Sequence, residues 1–297
     1  MKPSFDEFLN LAWNDHAKQT NEVADRLLES LPLVNDAEQI PRLAQLITHV
    51  YGEHLGEWEK GIDLLLKLKT IPILSDASRS DSPGMSAITR SVAVLELASG
   101  KITQVNELPL SEQIRVLATA ASALSEQKDP ERARRYFRDA IGKAQLGLQK
   151  DDPANRALAV TGNNLACALE EKISRTEIET EFMVLSAQTA RKYWEIAGTW
   201  LEVERAEYRL SQTYLKANDY AKSLMHAQEC LEVAISNHAP PLEMFFGYEA
   251  LALVEKAKGN TLGFQKALDH IKANFEKLSA EDKAWCEPSL KKLLATA

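Results

Sequence analysis

Three kinds of side chain in this sequence could do chemistry: six histidines, three cysteines and a run of arginines. Imidazoles ligate a transition metal when a short spacing puts two on one side of an element, as HExxH does on a helix. His49 and His54 are five apart, which predicts different faces of an α-helix, and no HExxH occurs. No metal site is expected. Cys167, Cys230 and Cys286 lie far apart, form no CxxC pair and fall in helical patterns. They read as small buried hydrophobes in a reducing, cytoplasmic setting. There is no GxSxG elbow and no glycine-rich phosphate loop. The pairs Glu170-Glu171 and Asp151-Asp152 read as a helix C-terminal face and a cap. No catalytic residue and no cofactor is expected, and the chain reads as something other than an enzyme.

The arginines pose a sharper question. In KDPERARRYFRDA, residues 128–140, Arg132, Arg134, Arg135 and Arg138 are close enough to suggest a nucleic-acid patch. At about 100° per residue, however, Ala133, Phe137, Ala140 and Ala144 form one narrow apolar stripe, with Arg134, Arg135 and Arg138 opposite. Asp129 before Pro130 has the form of an N-cap followed by proline at the first helical position. Glu131 and Asp139 dilute the positive field, and the chain as a whole carries 35 Lys+Arg against 43 Asp+Glu. Nucleic-acid binders want a basic domain. The run is expected to be the wet face of a helix, with no nucleic-acid partner.

The elements that would position these residues are helical throughout, with no convincing alternating strand. Phe5, Phe8, Leu9 and Ala12 begin a first helix; Val23, Ala24, Leu27, Leu28 and Leu31 form a second, closed by Pro32. A pair follows at about 37–52 and 57–69. SDASRSDSPG, residues 75–84, predicts a long surface loop. After a helix near 85–99, Ser111 reads as the next N-cap. Helices then pair at 112–127 with 130–148, 153–171 with 175–197, 200–217 with 219–236, and 241–258 with 261–277. Ser174/Glu177 and Thr199/Glu202 both have capping-box spacing. A last helix follows Ser279, with Pro288 kinking or dividing it. This gives N-terminal hairpins over 1–74, a loop and bridging helix over 75–110, and a repeat array over 111–297. No stretch approaches roughly 18 consecutive apolar residues, so no membrane partner is expected. The N-terminus shows no signal-peptide pattern.

The segment LSQTYLKANDYAKSLMHAQECL, 210–231, resembles the tetratricopeptide repeat (TPR). Leu210, Ser211 and Tyr214 occupy its first helix, Asn218-Asp219-Tyr220 its turn, and Ser223, Ala227 and Cys230 its second. Ala120, Ala121 and Leu124, the Asp129-Pro130 turn, then Ala133, Phe137 and Ala140 are similar. So are Leu165, Ala166 and Leu169 with Ala190, Trp194 and Ala197, and Gly56, Trp58, Gly61, Leu65 and Leu68 nearer the start. Ala190 to Ser223 spans 33 residues, near the family's ~34. Glu255 and Phe264 depart from the pattern. One such hairpin cannot bury its apolar face, so repeats stack. The resemblance implies an all-α fold, a right-handed α-solenoid superhelix of antiparallel helix hairpins.

It also implies a role. In the family, stacked first helices form a concave groove that binds extended peptides or helices of partner proteins. Val203, Ala206, Leu210 and Tyr214 form the packing stripe of helix 200–217, leaving Arg205, Arg209, Gln212 and Lys216 opposite. Asn164, with Asn163 nearby, takes the matching side one hairpin earlier, and Arg115 and Ser122 take it one earlier still. The set is similar to the clamp with which some members grip a carboxylate terminus. Rival pairings are Glu202 with Arg205 and Glu171 with Arg209, exposed contacts worth ~0–1 kcal/mol. Trp58 and Trp194 fall at packing positions and read as core, and Trp200 as a staple. The expected function is a non-catalytic, cytoplasmic scaffold for a protein or peptide. One alternative is a regulator sensing a small ligand or signal peptide and acting through a partner. Another is a homodimer formed through the apolar stretch 243–259.

Overall fold

The apolar stripes do what their periodicity predicts. The computed structural model describes residues 3–74, 82–101 and 104–295, and among these every regular element is helical. The chain forms two compact units, residues 1–148 and 149–297. The hairpin at 112–148, expected to open the C-terminal array, is thus part of the first unit. Residues 75–81, most of the expected surface loop, lie outside the described residues.

The first unit contains α1 (Phe5–Asp15), α2 (Thr20–Glu29), α3 (Gln39–Thr48), α4 (Trp58–Lys69), α5 (Pro83–Ser99), α6 (Leu110–Glu126) and α7 (Pro130–Ala144). Phe5, Phe8, Leu9 and Ala12 of α1 join Val23, Leu27, Leu43, Ile47 and Leu65 in one core. Leu28, which the stripe of α2 included, is exposed. Pro109 rather than Ser111 occupies the N-cap of α6, two residues earlier than the hydroxyl suggests. In α7 the N-cap is as expected, with Asp129 accepting from the Arg132 amide at 3.2 Å, and Ala133, Phe137 and Ala140 are fully buried. Arg132 has a structural role. Its Nη2 donates to the carbonyls of Leu97 and Ala98, both at 3.0 Å, and so closes the C-terminal end of α5.

Residues His49–His54 form a π-helical turn, in which each amide reaches back five residues instead of four. The Leu55 amide bonds the Val50 carbonyl at 3.0 Å. His49 and His54 therefore share one side of the turn, with their Nε2 atoms 3.0 Å apart. The expectation that they lie on different faces fails because it assumed α-helical pitch.

The second unit contains α8 (Pro153–Glu171), α9 (Glu177–Ala197), α10 (Trp200–Lys216), α11 (Tyr220–Ser236), α12 (Pro241–Ala257), α13 (Thr261–Phe275) and α14 (Ala280–Leu294). Helices α8–α9, α10–α11 and α12–α13 pack as hairpins, α11 packs on α12, and α10 also touches α8, α9 and α12. That is the stacking of a helical solenoid. Gly162 lets α8 and α9 meet closely: a Cβ there would sit 2.6 Å from the Ser186 carbonyl oxygen and 3.0 Å from the Ala190 nitrogen. The turn between α10 and α11 needs a left-handed residue, and Asn218 supplies it at φ 60°. The Asp219 amide then bonds the Tyr214 carbonyl at 2.9 Å.

Two terminal details differ from the sequence reading. The capping box of α9 is Thr176/Glu179, not Ser174/Glu177. Arg175 explains the delay, because its guanidinium takes the carbonyls of Leu169, Glu170 and Lys172 and closes α8 before α9 can start. Pro288 does not divide α14, which runs through it. Thr199/Glu202 caps α10 as expected. Helix α12 is packed on most of its circumference, and none of its large apolar side chains reaches full exposure. No helix among the described residues is long and apolar enough to cross a membrane.

Candidate functional site

Helix α10 is the hub of the second unit. Glu204 and Glu207, with Ser211 and Tyr214, recur at three- and four-residue spacing along its buried side, which is the spacing of a packed stripe. A buried carboxylate must be paired or hydrogen-bonded, and each of these is met from a neighbouring helix. Glu207 accepts from Arg191 of α9 and from His226 of α11, the latter at 2.7 Å. Burial pushes its carboxyl up, but these two partners outweigh burial and hold it below the usual range. Glu204 accepts the Cys230 thiol at 2.9 Å through one oxygen, while the other is buried without a partner.

The four cationic and amide residues expected on the far side of α10 do not share one situation. Arg205 is held by Glu243 of α12, with Nη2 2.6 Å and Nε 3.4 Å from its two carboxylate oxygens. Glu202, the rival partner, is occupied by the Thr199 cap. Arg209 is half-buried and pairs with Glu170 of α8 at 2.5 Å, not with Glu171. Thr213 donates to the same Glu170 carboxylate. Burial pushes the Glu170 carboxyl up even against Arg209, and the Arg209 guanidinium, itself disfavoured by burial, is held charged by Glu170. Arg209 Nε and Gln212 Nε2 remain buried donors without partners. Lys216 is exposed at the end of the helix.

On α8 it is Asn163, one residue from the expected Asn164, that reaches the same space. Asn164 is exposed and accepts from Asn163 at 3.4 Å. Arg115 belongs to the first unit, where it pairs with Glu112 at 2.7 Å, and Ser122 there donates to Glu53.

Between α8, α9, α10, α12 and α14 lies a cavity of about 380 Å³. Its walls are mainly aromatic: Trp194, Tyr208, Phe246 and Trp285 all border it, together with Leu242. Phe246 packs on Tyr208 at 5.9 Å and on Trp285 at 5.1 Å. Asn163, Arg205, Arg209, Glu202, Glu204 and Glu243 supply the polar lining. Trp194 is therefore a wall of this space and not core, with the Arg156 guanidinium 5.1 Å from its ring. Trp285 is 63% exposed, an unusual position for so large an apolar surface.

The floor of the cavity can change charge near neutrality. Burial, reinforced by the adjoining Glu243 carboxylate, raises Glu204 from an ordinary 4.5 to about 7 even against the Cys230 hydrogen bond. The cysteines show no activated thiol. Burial pushes Cys167 and Cys230 above the usual thiol range.

The sequence reading missed Glu204, Glu243, Tyr208, Phe246 and Trp285. Their one signal was spacing: Glu204 and Glu207 lie on a helical stripe with Ser211 and Tyr214, but carboxylates are ordinarily assigned to water. No protein-family model matches the chain, and no curated protein matches it.

Proposed function

We propose that the protein is a non-catalytic scaffold of tetratricopeptide type, and that the cavity on α10 seats an apolar or aromatic anchor of a partner peptide. The observation that carries this reading is the wall of Trp194, Tyr208, Phe246 and Trp285 beside the ion pairs Arg205–Glu243 and Arg209–Glu170. Aromatic walls with a few fixed polar groups are how binding pockets obtain affinity and orientation. The pairing also revises the expected ligand. A carboxylate terminus would have to displace Glu243 from Arg205 or Glu170 from Arg209, and would meet Glu202 and Glu204. A neutral or basic segment around the anchor suits the lining better.

A random peptide library displayed against the immobilised protein tests this. The expected result is a shared motif with one aromatic or large aliphatic position and few acidic residues. Trp285→Ala, whose side chain is largely exposed, is expected to leave the melting temperature unchanged and weaken the selected peptides ~10-fold or more. No consensus, or peptides indifferent to Trp285→Ala, would overturn the reading. The cavity volume also falls within the ~300–1,000 Å³ of small-molecule sites, which favours the regulator alternative in one respect. That alternative predicts stabilisation by a small-molecule library without any enriched peptide.

A further inference from the structure

The first unit contains a second constellation. His16 follows the last residue of α1, and His49 and His54 stand at the two ends of the π-helical turn. One ring nitrogen from each lies within 4.8 Å of the other two. The rings are packed at angles rather than stacked in register, with centroids 4.6, 4.9 and 5.1 Å apart. His16 and His49 are half-buried and His54 lies nearer solvent, and Trp13 closes one side at 5.2 Å from both His16 and His49.

We infer that His16, His49 and His54 form a three-histidine site for a divalent transition metal of the zinc class. Zn–N bonds of about 2.0–2.1 Å in a tetrahedron put the nitrogens about 3.3 Å apart. His49 and His54 already stand at 3.0 Å. The remaining separations, at most 4.8 Å, close by about 1.5 Å or less to reach that geometry.

The surroundings orient the ligands as metal sites do. A ligating imidazole gives its other N–H to a carbonyl or carboxylate, which leaves the ligating nitrogen unprotonated and aimed. His16 Nδ1 lies 2.5 Å from the Trp13 carbonyl, and His49 Nδ1 lies 3.2 Å from Glu53 Oε2. Both arrangements leave Nε2 as the free nitrogen. Glu53 is itself fixed, since its carboxylate accepts from Ser122 and its carbonyl from Gln127 at 2.6 Å. A metal would sit between the Nε2 atoms of His49 and His54, which face each other at 3.0 Å, and each ligating nitrogen must then be free of its proton.

The backbone gives an independent reason to regard the cluster as built. In an ideal α-helix residues five apart diverge by about 140°. Only the π-turn brings these two together, and π-turns inside helices concentrate at functional sites. Gly52, within the turn, presses on Leu95 so closely that a Cβ would sit 2.9 Å from Leu95 Cδ2. Three protein ligands leave one tetrahedral position for water or an incoming group.

The test uses tag-free, full-length protein stripped with a chelator. Titration with Zn²⁺ by calorimetry is expected to show one tight equivalent. Co²⁺ is expected to give a visible tetrahedral d–d spectrum without the near-ultraviolet thiolate band that a cysteine ligand would add. His16→Gln, His49→Gln and His54→Gln are each expected to weaken binding by more than ~100-fold, and Glu53→Gln by ~10–100-fold. His270→Gln, in the second unit, is the control and should change nothing. Circular dichroism identifies any variant that fails to fold; Glu53→Gln, outside the ligand set, then decides. Absence of a tight equivalent in the unaltered protein overturns the inference. So does a thiolate band, or an affinity that ignores the histidine substitutions.

Discussion

Glu204→Gln isolates the buried acid of α10. Glu204 is 1% exposed, and its carboxyl rises from 4.5 to about 7. Between those two values the unfolded chain has released this proton while the folded chain retains it. Stability therefore falls as pH rises through the window and levels off above about 7. At ~1.4 kcal/mol for each tenfold change, the full loss is about 3 kcal/mol. Glutamine keeps the shape and a donor toward Glu243 but cannot ionise. The assay is urea unfolding of both proteins across the window, followed by the difference between their stabilities, so that every other titrating group cancels. Below about pH 4.5 the two should nearly agree; above about pH 7 the variant should be more stable by up to about 3 kcal/mol. A difference that stays constant with pH refutes the assignment of a protonated, buried Glu204. A difference that grows in the acid direction refutes the sign.

Other substitutions probe separate joints. Arg209→Ala should destabilise by ~3–5 kcal/mol in chemical denaturation, because it leaves Glu170 buried and unpaired, and adding Glu170→Gln should recover part of that loss. Gly162→Val should cost ~1–3 kcal/mol or more by forcing α8 from α9, and normal stability would show that the close approach is wrong. Ala133→Leu should cost ~1–3 kcal/mol by overpacking a fully buried contact in α7, read from the same unfolding midpoint.

The fold was largely legible because helices announce themselves by period. Ala133, Phe137 and Ala140 were placed inward by spacing alone, and all are fully buried. Caps were legible where one candidate stood alone, as at Asp129 and Thr199. They slipped where two candidates stood close together, as with Ser174 and Thr176, and the hold of Arg175 on the end of α8 decided between them. The π-turn at His49–His54 was not legible. Its extra residue per turn answers to how α3 packs, and a one-dimensional period cannot register that. The groove was half legible: Arg205 and Arg209 were correctly placed on α10, but their partners come from helices about 40 residues away in sequence.

Those long-range pairings explain why this groove resists a simple rule of apolar inside and polar outside. Seven glutamates are buried, and all belong to the second unit. Five of them link two helices: Glu170 with Arg209, Glu207 with Arg191 and His226, Glu204 with Cys230, Glu243 with Arg205, and Glu249 with Tyr208. Each link starts or ends on α10. Apolar packing between smooth helices tolerates sliding, since an alanine stripe meets its neighbour nearly as well one turn along. A buried carboxylate does not, because a one-turn slip strands it without a partner at a cost of several kcal/mol. These acids thus add little net stability compared with apolar residues, but their links to α10 fix the register of α8, α9, α11 and α12 around it. That register sets where Trp194 of α9, Tyr208 of α10 and Phe246 of α12 stand around the cavity, so its shape depends on charge pairing as much as on apolar packing.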